Sequence, residues 1–214
     1  MASAARVLSI NIAERSQPQT WSDSGLRTGI NKEPAQGLVS FENDHVAGDT
    51  VVDRKHHGGY DQAVYAYARE DAVWWEEKIG RAISHGQFGE NLTTEGLDLT
   101  HAIIGEQWRI GDVLLEVSSP RIPCRIFAGF WDRPGLVKEF AEARRPGTYL
   151  RIIEEGMFEA KALITIVHKP AHGCTIRDLY GAWFGESEKL EALAAVKELA
   201  TKDREWISKK LAQK

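Results

Sequence analysis

Cysteine is nearly absent: Cys124 and Cys174 are the only thiols in 214 residues. Two are too few for a four-thiolate zinc or iron–sulfur site, and in a chain with no recognisable export signal they are expected to stay reduced. No apolar run approaches the roughly 20 residues that span a bilayer. The run Val7–Ile12 is also far too short for a secretory core, so a soluble cytoplasmic protein with no membrane partner is expected. An excess of basic charge is missing as well. Lys and Arg number 27 against 31 Asp and Glu, a formal net charge of -4, which leaves no global field to hold a long nucleic acid. A local basic cleft is compatible with that balance. Nor is there a Walker P-loop, a G-x-S-x-G elbow, an H-E-x-x-H pair or a G-x-G-x-x-G turn opening a helix. Nucleotide hydrolysis, serine-esterase and zincin chemistry thereby lose their usual supports.

What is present is ordinary globular usage, 43% hydrophobic and 27% charged, without an internal repeat or low-complexity tract. From residue 7 to 168, Gly, Pro, Asn and Asp recur at short intervals between β-branched or aromatic runs, the rhythm of an all-β barrel or sandwich. Strands are expected at Val7–Ile12, Gly37–Phe41, Gln62–Ala68, Asn91–Thr94, Gln107–Ile110, Val113–Ser118, Tyr149–Ile153 and Ala162–Val167. Gly111-Asp112 reads as a tight hairpin turn with left-handed backbone. Two helices, Glu70–Lys78 and Pro134–Ala143, should cover open ends of the β body, Pro134 suiting a first helical turn. After residue 170 Pro disappears and Ala, Leu, Glu and Lys dominate, which sets a boundary between a domain over 1–170 and a small three-helix unit over 171–214. Thr175 and Asp178 have capping-box spacing, and Ile207 with Leu211 gives the last helix an apolar stripe. So small a unit should pack on the β body or on a second copy of the chain, with Trp183 and Phe184 available for a homodimer contact.

Four segments can carry chemistry. In Pro120-Arg121-Ile122-Pro123-Cys124-Arg125 a thiol follows a strand and precedes a helical run, and the helix dipole with two arginines would favour thiolate. That suits a soft-metal ligand, a sulfur carrier or a nucleophile, whereas a plain buried cysteine is the bland alternative. The stretch Asp53 to Gln62 joins cations to Gly58-Gly59, whose backbone N–H groups can hold an oxyanion. Adjacent His56 and His57 point to opposite faces and cannot chelate one ion together. The third segment runs from Gly86 to Thr94, where Glu90 and Asn91 offer hydrogen bonds. The fourth is the turn Thr28 to Pro34, where Lys32 adds a cation.

Taken together and in this order, the segments resemble the MOSC family, named for the carboxy-terminal domain of molybdenum cofactor sulfurases. The likeness covers residues 25 to 168 and is carried by Lys55 to Tyr65, Phe88 to Leu92 and Pro120 to Cys124. The helical tail and Gly147–Arg151 resemble the bacterial subgroup linked to hydroxylaminopurine resistance. Asp44 to Asp49 departs from the Gly-Leu-x-Gly-Asp turn of the family but keeps Gly48 and Asp49. The resemblance implies a mainly β, barrel-like fold that binds the molybdenum cofactor, a molybdopterin, with Cys124 bound to molybdenum or carrying sulfur. It further implies cofactor contacts from Lys32, Arg54, Lys55, His56, Gly58, Gly59, Asp61, Gln62, Phe88, Gly89, Glu90, Asn91 and Arg121. The activity it implies is reduction of an N-hydroxylated small molecule, with electrons from a separate reductase. A sulfur or cofactor carrier without turnover of its own is the alternative. The resemblance also brings a family-level association with pyridoxal phosphate binding, while the absence of an aminotransferase-like domain with a cofactor lysine argues against a complete cofactor sulfurase.

Overall fold

The computed structural model describes residues 4–21, 25–54 and 57–213. Its strands are β1 (Arg6–Ile12), β2 (Gln17–Pro18), β3 (Arg27–Thr28), β4 (Glu33–Pro34), β5 (Val39–Glu42), β6 (His45–Val46) and β7 (Val64–Ala68), followed by six more. Those are β8 (Leu92–Glu95), β9 (Gln107–Ile110), β10 (Val113–Pro120), β11 (Thr148–Glu154), β12 (Gly156–Phe158) and β13 (Thr165–His168). The helices are α1 (Arg69–Ile79), α2 (Arg125–Phe130), α3 (Leu136–Ala143), α4 (Ile176–Trp183), α5 (Leu190–Ala194) and α6 (Thr201–Leu211). No helix among the described residues is long and apolar enough to cross a membrane.

Eight strands form one mixed sheet in the order β13-β9-β10-β11-β7-β8-β1-β4, with β7 and β8 its parallel pair. The sheet bends back on itself: the Val7 N–H donates to the Ala162 carbonyl at 3.0 Å and the Ile164 N–H to the Ala5 carbonyl at 2.8 Å. That meeting is a single bridge, Arg6 to Leu163, rather than a ladder. The mainly β, barrel-like fold expected from the sequence takes the form of a large curled mixed sheet whose edges touch at that bridge, with no closed ladder among the described strands.

Strand β7 shows why the sheet sits where it does. All five of its residues are buried, and side chains alternate across a strand. Val64, Ala66 and Ala68 face the aliphatic core with Ile10, Leu92, Trp108, Val117 and Leu150, whereas Tyr65 and Tyr67 face an aromatic core. The aromatic core lies under α1, α2 and α3 and contains Trp75, Phe88, Phe127, Trp131 and Phe140. Phe88 stacks on Tyr67 with centroids 4.2 Å apart. Burying each such ring is worth about 1.5–3 kcal/mol. Helices α1 and α3 thus cover the second face of β7, where the sequence reading placed them over open ends.

Two local expectations are refined and a third is met. Helix α3 starts at Leu136, because Gly135 takes a left-handed φ of 93° and breaks the helical run before Pro134 can join it. At the β9–β10 turn Gly111 has positive φ (56°) and Asp112 does not. Thr175 does cap α4: the Asp178 N–H donates to Thr175 Oγ1 at 3.2 Å, and the Thr175 N–H donates to Asp178 Oδ2 at 2.9 Å. The three carboxy-terminal helices are present, and Ile176, Leu179, Leu193 and Ile207 enter the same aliphatic core as the sheet.

Candidate functional site

The sheet positions one chemistry-bearing loop by ending a strand. Strand β10 runs to Pro120, where the chain leaves the ladder and turns through Pro123 into α2, with Cys124 as the residue before its first turn. Loops before β4, between β6 and β7 and before β8 converge on the same place. Together with Tyr65 of β7 and Tyr149 of β11 they enclose a cleft with about 830 Å³ of empty space, its open mouth included. Ile30, Val51, Ala63 and Ile126 give it apolar walls, while Lys32, His57, Arg121 and Cys124 bring polar atoms to it.

Cys124 is half-buried and free. Burial pushes its thiol pKa up, but a hydrogen bond with His57, the charge of Arg121 and the Phe127 backbone N–H outweigh that and bring it down to about 7. Thiolate is thus a major form at neutral pH. Arg121 is 5% exposed. Its Nη1 donates to the Phe88 carbonyl at 2.6 Å, and its guanidinium lies over the rings of Phe127 (4.5 Å) and Tyr65 (5.2 Å). Among the described residues it has no carboxylate partner, so its buried charge faces Cys124 and the cleft. Aromatic faces repay part of the lost hydration of a guanidinium, and an anion repays more.

Lys32 is held differently. Its ammonium donates to both oxygens of Asp49, which also accept from Asn91 Nδ2 at 2.8 Å and from the Ala13 N–H at 2.8 Å. Burial lowers the Lys32 pKa and Asp49 opposes the shift. Close backbone approach seals this corner: Gly29 lies so near the Thr50 carbonyl that a Cβ there would overlap it.

The residues expected to bind a cofactor divide into four groups. Lys32, Gly58, Gln62, Gly89, Asn91, Arg121 and Cys124 line the one cleft. Lys55 and His56 lie outside the described residues. Arg54 and Gly59 are exposed and off the lining. Asp61, Phe88 and Glu90 are engaged elsewhere. Asp61 accepts from Arg151 Nε at 2.7 Å and from the Thr201 N–H at 3.2 Å. Phe88 is the centre of the aromatic core. The Glu90 carboxylate folds back to accept from the N–H groups of Gly86 (2.7 Å) and Phe88 (3.0 Å) and from Thr93 Oγ1 (2.9 Å), clamping its own turn.

Sequence reasoning passed over His57, Asp49 and Tyr149 as site residues. His57 carried a signal, since it stands in the basic run beside Gly58, but only the fold brings that run to Cys124. The other thiol, Cys174, is buried, and burial pushes its pKa up. Among the described residues no group of three or more His, Cys, Asp or Glu could hold a metal ion by itself.

Residues 53–165 match the MOSC domain family. Over 202 residues the chain is 31% identical to YflK of Bacillus subtilis (strain 168), 94% of this chain and 90% of that protein. A crystal structure of YiiM from Geobacillus stearothermophilus superposes with a TM-score of 0.81 at 27% identity, over 97% of this chain and 99% of that one. A protein named reductase from Gibberella moniliformis (strain M3125 / FGSC 7600) is 28% identical over 149 residues, 68% of this chain and 26% of that protein.

Proposed function

The chain belongs to the MOSC domain family, and from that membership we propose that its cleft binds the molybdenum cofactor and reduces N-hydroxylated bases or related compounds to amines. The observation that carries the proposal is the pairing of a low-pKa thiol, Cys124, with a buried guanidinium, Arg121, that has no carboxylate of its own among the described residues. Thiolate suits a soft, high-valent metal, and a molybdopterin brings both anionic groups for Arg121 and the dithiolene sulfurs that this donor set does not supply. A metal at Cys124 would take its remaining ligands from such a group.

When bound, the cofactor would supply two-electron redox chemistry for removal of the substrate's oxygen. The chain's own residues supply the rest. Cys124 would hold the metal, Arg121 would neutralise negative charge, and Gly58 and Gly89, both at positive φ, line the cleft with backbone. Ile30, Val51 and Ile126 keep bulk water from the site, and His57 offers a ring nitrogen beside the Cys124 sulfur. Reduction of an N–OH group consumes two electrons and two protons and releases water, so a separate reductase is required. The distant Gibberella relative carrying the name reductase points the same way. Pyridoxal phosphate gains no support: Lys32, the lysine lining the cleft among the described residues, is committed to Asp49.

Cofactor-loaded protein supplied with reduced methyl viologen and a hydroxylaminopurine should release the amine. In Cys124→Ala the rate should fall at least a hundredfold. Equal rates in the two proteins would remove Cys124 from the reaction.

A further inference from the structure

The cleft mouth carries a surface that a small substrate does not need. Four large apolar side chains reach solvent on the segments that line it or adjoin it: Leu26 (60% exposed), Val52 (44%), Tyr60 (58%) and Ile122 (50%). Arg27, Arg54 and Arg125 are exposed on the same segments. None of the three is in an ion pair among the described residues, although Arg27 Nε donates to Ser16 Oγ at 2.7 Å. Of the acidic side chains nearby, Asp49 holds Lys32, Asp61 holds Arg151 and Asp53 is half-buried, while Glu33 and Asp44 still reach solvent. In a chain of net charge -4 this rim is a local reversal of sign.

Unpaired cations interleaved with exposed apolar side chains are the composition of a protein interface in which charge steers and apolar contact holds. The occupant follows from the chemistry of the site. Each turnover of the proposed reduction needs two electrons delivered at this mouth. We propose that the rim of Leu26, Arg27, Val52, Arg54, Ile122 and Arg125 is the docking face for an electron-donor protein whose surface around its redox group is acidic. This rests on the reductase reading above. The donor is oxidised by two electrons per cycle, solvent supplies two protons, and the N-hydroxylated substrate leaves as amine and water. Such contacts are small and brief, and their rates fall with salt because exposed charges are screened over about 10 Å at 0.1 M.

The test compares two classes of donor on the full cofactor-loaded chain: reduced methyl viologen, which needs no docking face, and two acidic proteins, a flavodoxin and a [2Fe–2S] ferredoxin. The variants are Leu26→Asp and Ile122→Asp, singly and together, which place negative charge on exposed rim side chains that do not line the cleft. Viologen-driven rates should stay within twofold in all of them. With at least one protein donor, the wild-type rate should drop steeply with added salt, and the double variant should be at least tenfold slower. The docking face is overturned if the double variant matches wild type with the protein donors, or if neither protein drives a reaction that viologen drives. It is also overturned if wild type is a dimer by light scattering and the same substitutions dissolve it, since a second copy then covers the rim. Wild type that reduces nothing even with viologen removes the reductase reading itself, and the docking face with it.

Discussion

Cys124 and Arg121 act on each other at the scale of single atoms. A buried guanidinium over two rings and a thiol in hydrogen-bond contact with His57 each make the other's charged form less costly. Iodoacetamide should therefore alkylate Cys124 in folded, cofactor-free protein with a midpoint near pH 7, and His57→Ala should move the midpoint upward. A midpoint in the ordinary thiol range for wild type would contradict the geometry. Residue identity singled out the Cys124 segment in the sequence, a thiol flanked by arginines, but left a plain buried cysteine open as the bland reading until the fold set it half-buried on the cleft. Glu90 and Phe88 were not legible. Residue type states which bonds a side chain can form and not which way it turns, and Glu90 turns back because the Gly86 and Phe88 N–H groups need an acceptor.

Between elements, the informative contact joins α6 to β10. Asp203 is 2% exposed and accepts from Ser119 Oγ at 2.7 Å. Burial raises its pKa to about 6, against the hydrogen bond from Ser119 and the charges of Lys202 and Arg151, while Asp61 adds to the rise. The folded state thus holds a proton on Asp203 that the unfolded chain releases near its ordinary value of 3.8. Its contribution to stability is full below about pH 4 and is lost as pH rises through about 6. Asp203→Asn should remove this fall from the pH dependence of urea unfolding and leave the protein at neutral pH more stable by about 3 kcal/mol. Loss of stability in the variant at pH 7 would show that the ionised carboxylate is instead favourable. Elements with strong local signals were read well: β9 falls on its expected residues, and the Thr175 capping box forms as its spacing implies. The start of α3 was misread, because a left-handed glycine overrides a proline that suits a first turn.

For the whole molecule, the composition change after residue 170 marked a boundary, and the unit beyond it was expected to pack on the β body or on a second copy; its helices place Ile176, Leu179, Leu193 and Ile207 in the core of the sheet. Periodicity reveals that a helix has an apolar face and not what the face meets. A chain ending at residue 170 should lose cooperative thermal unfolding and bind a hydrophobic dye, and Leu179→Ala in the full chain should cost about 2–5 kcal/mol. A truncated chain that melts as sharply as the full one would show that the two parts fold apart. The proposed function itself is tested most directly by molybdenum and pterin per chain, measured side by side for wild type and Cys124→Ala purified from a cofactor-producing host. Near-stoichiometric metal that the substitution removes is the expected result. Well-folded wild type carrying neither metal nor pterin would contradict it.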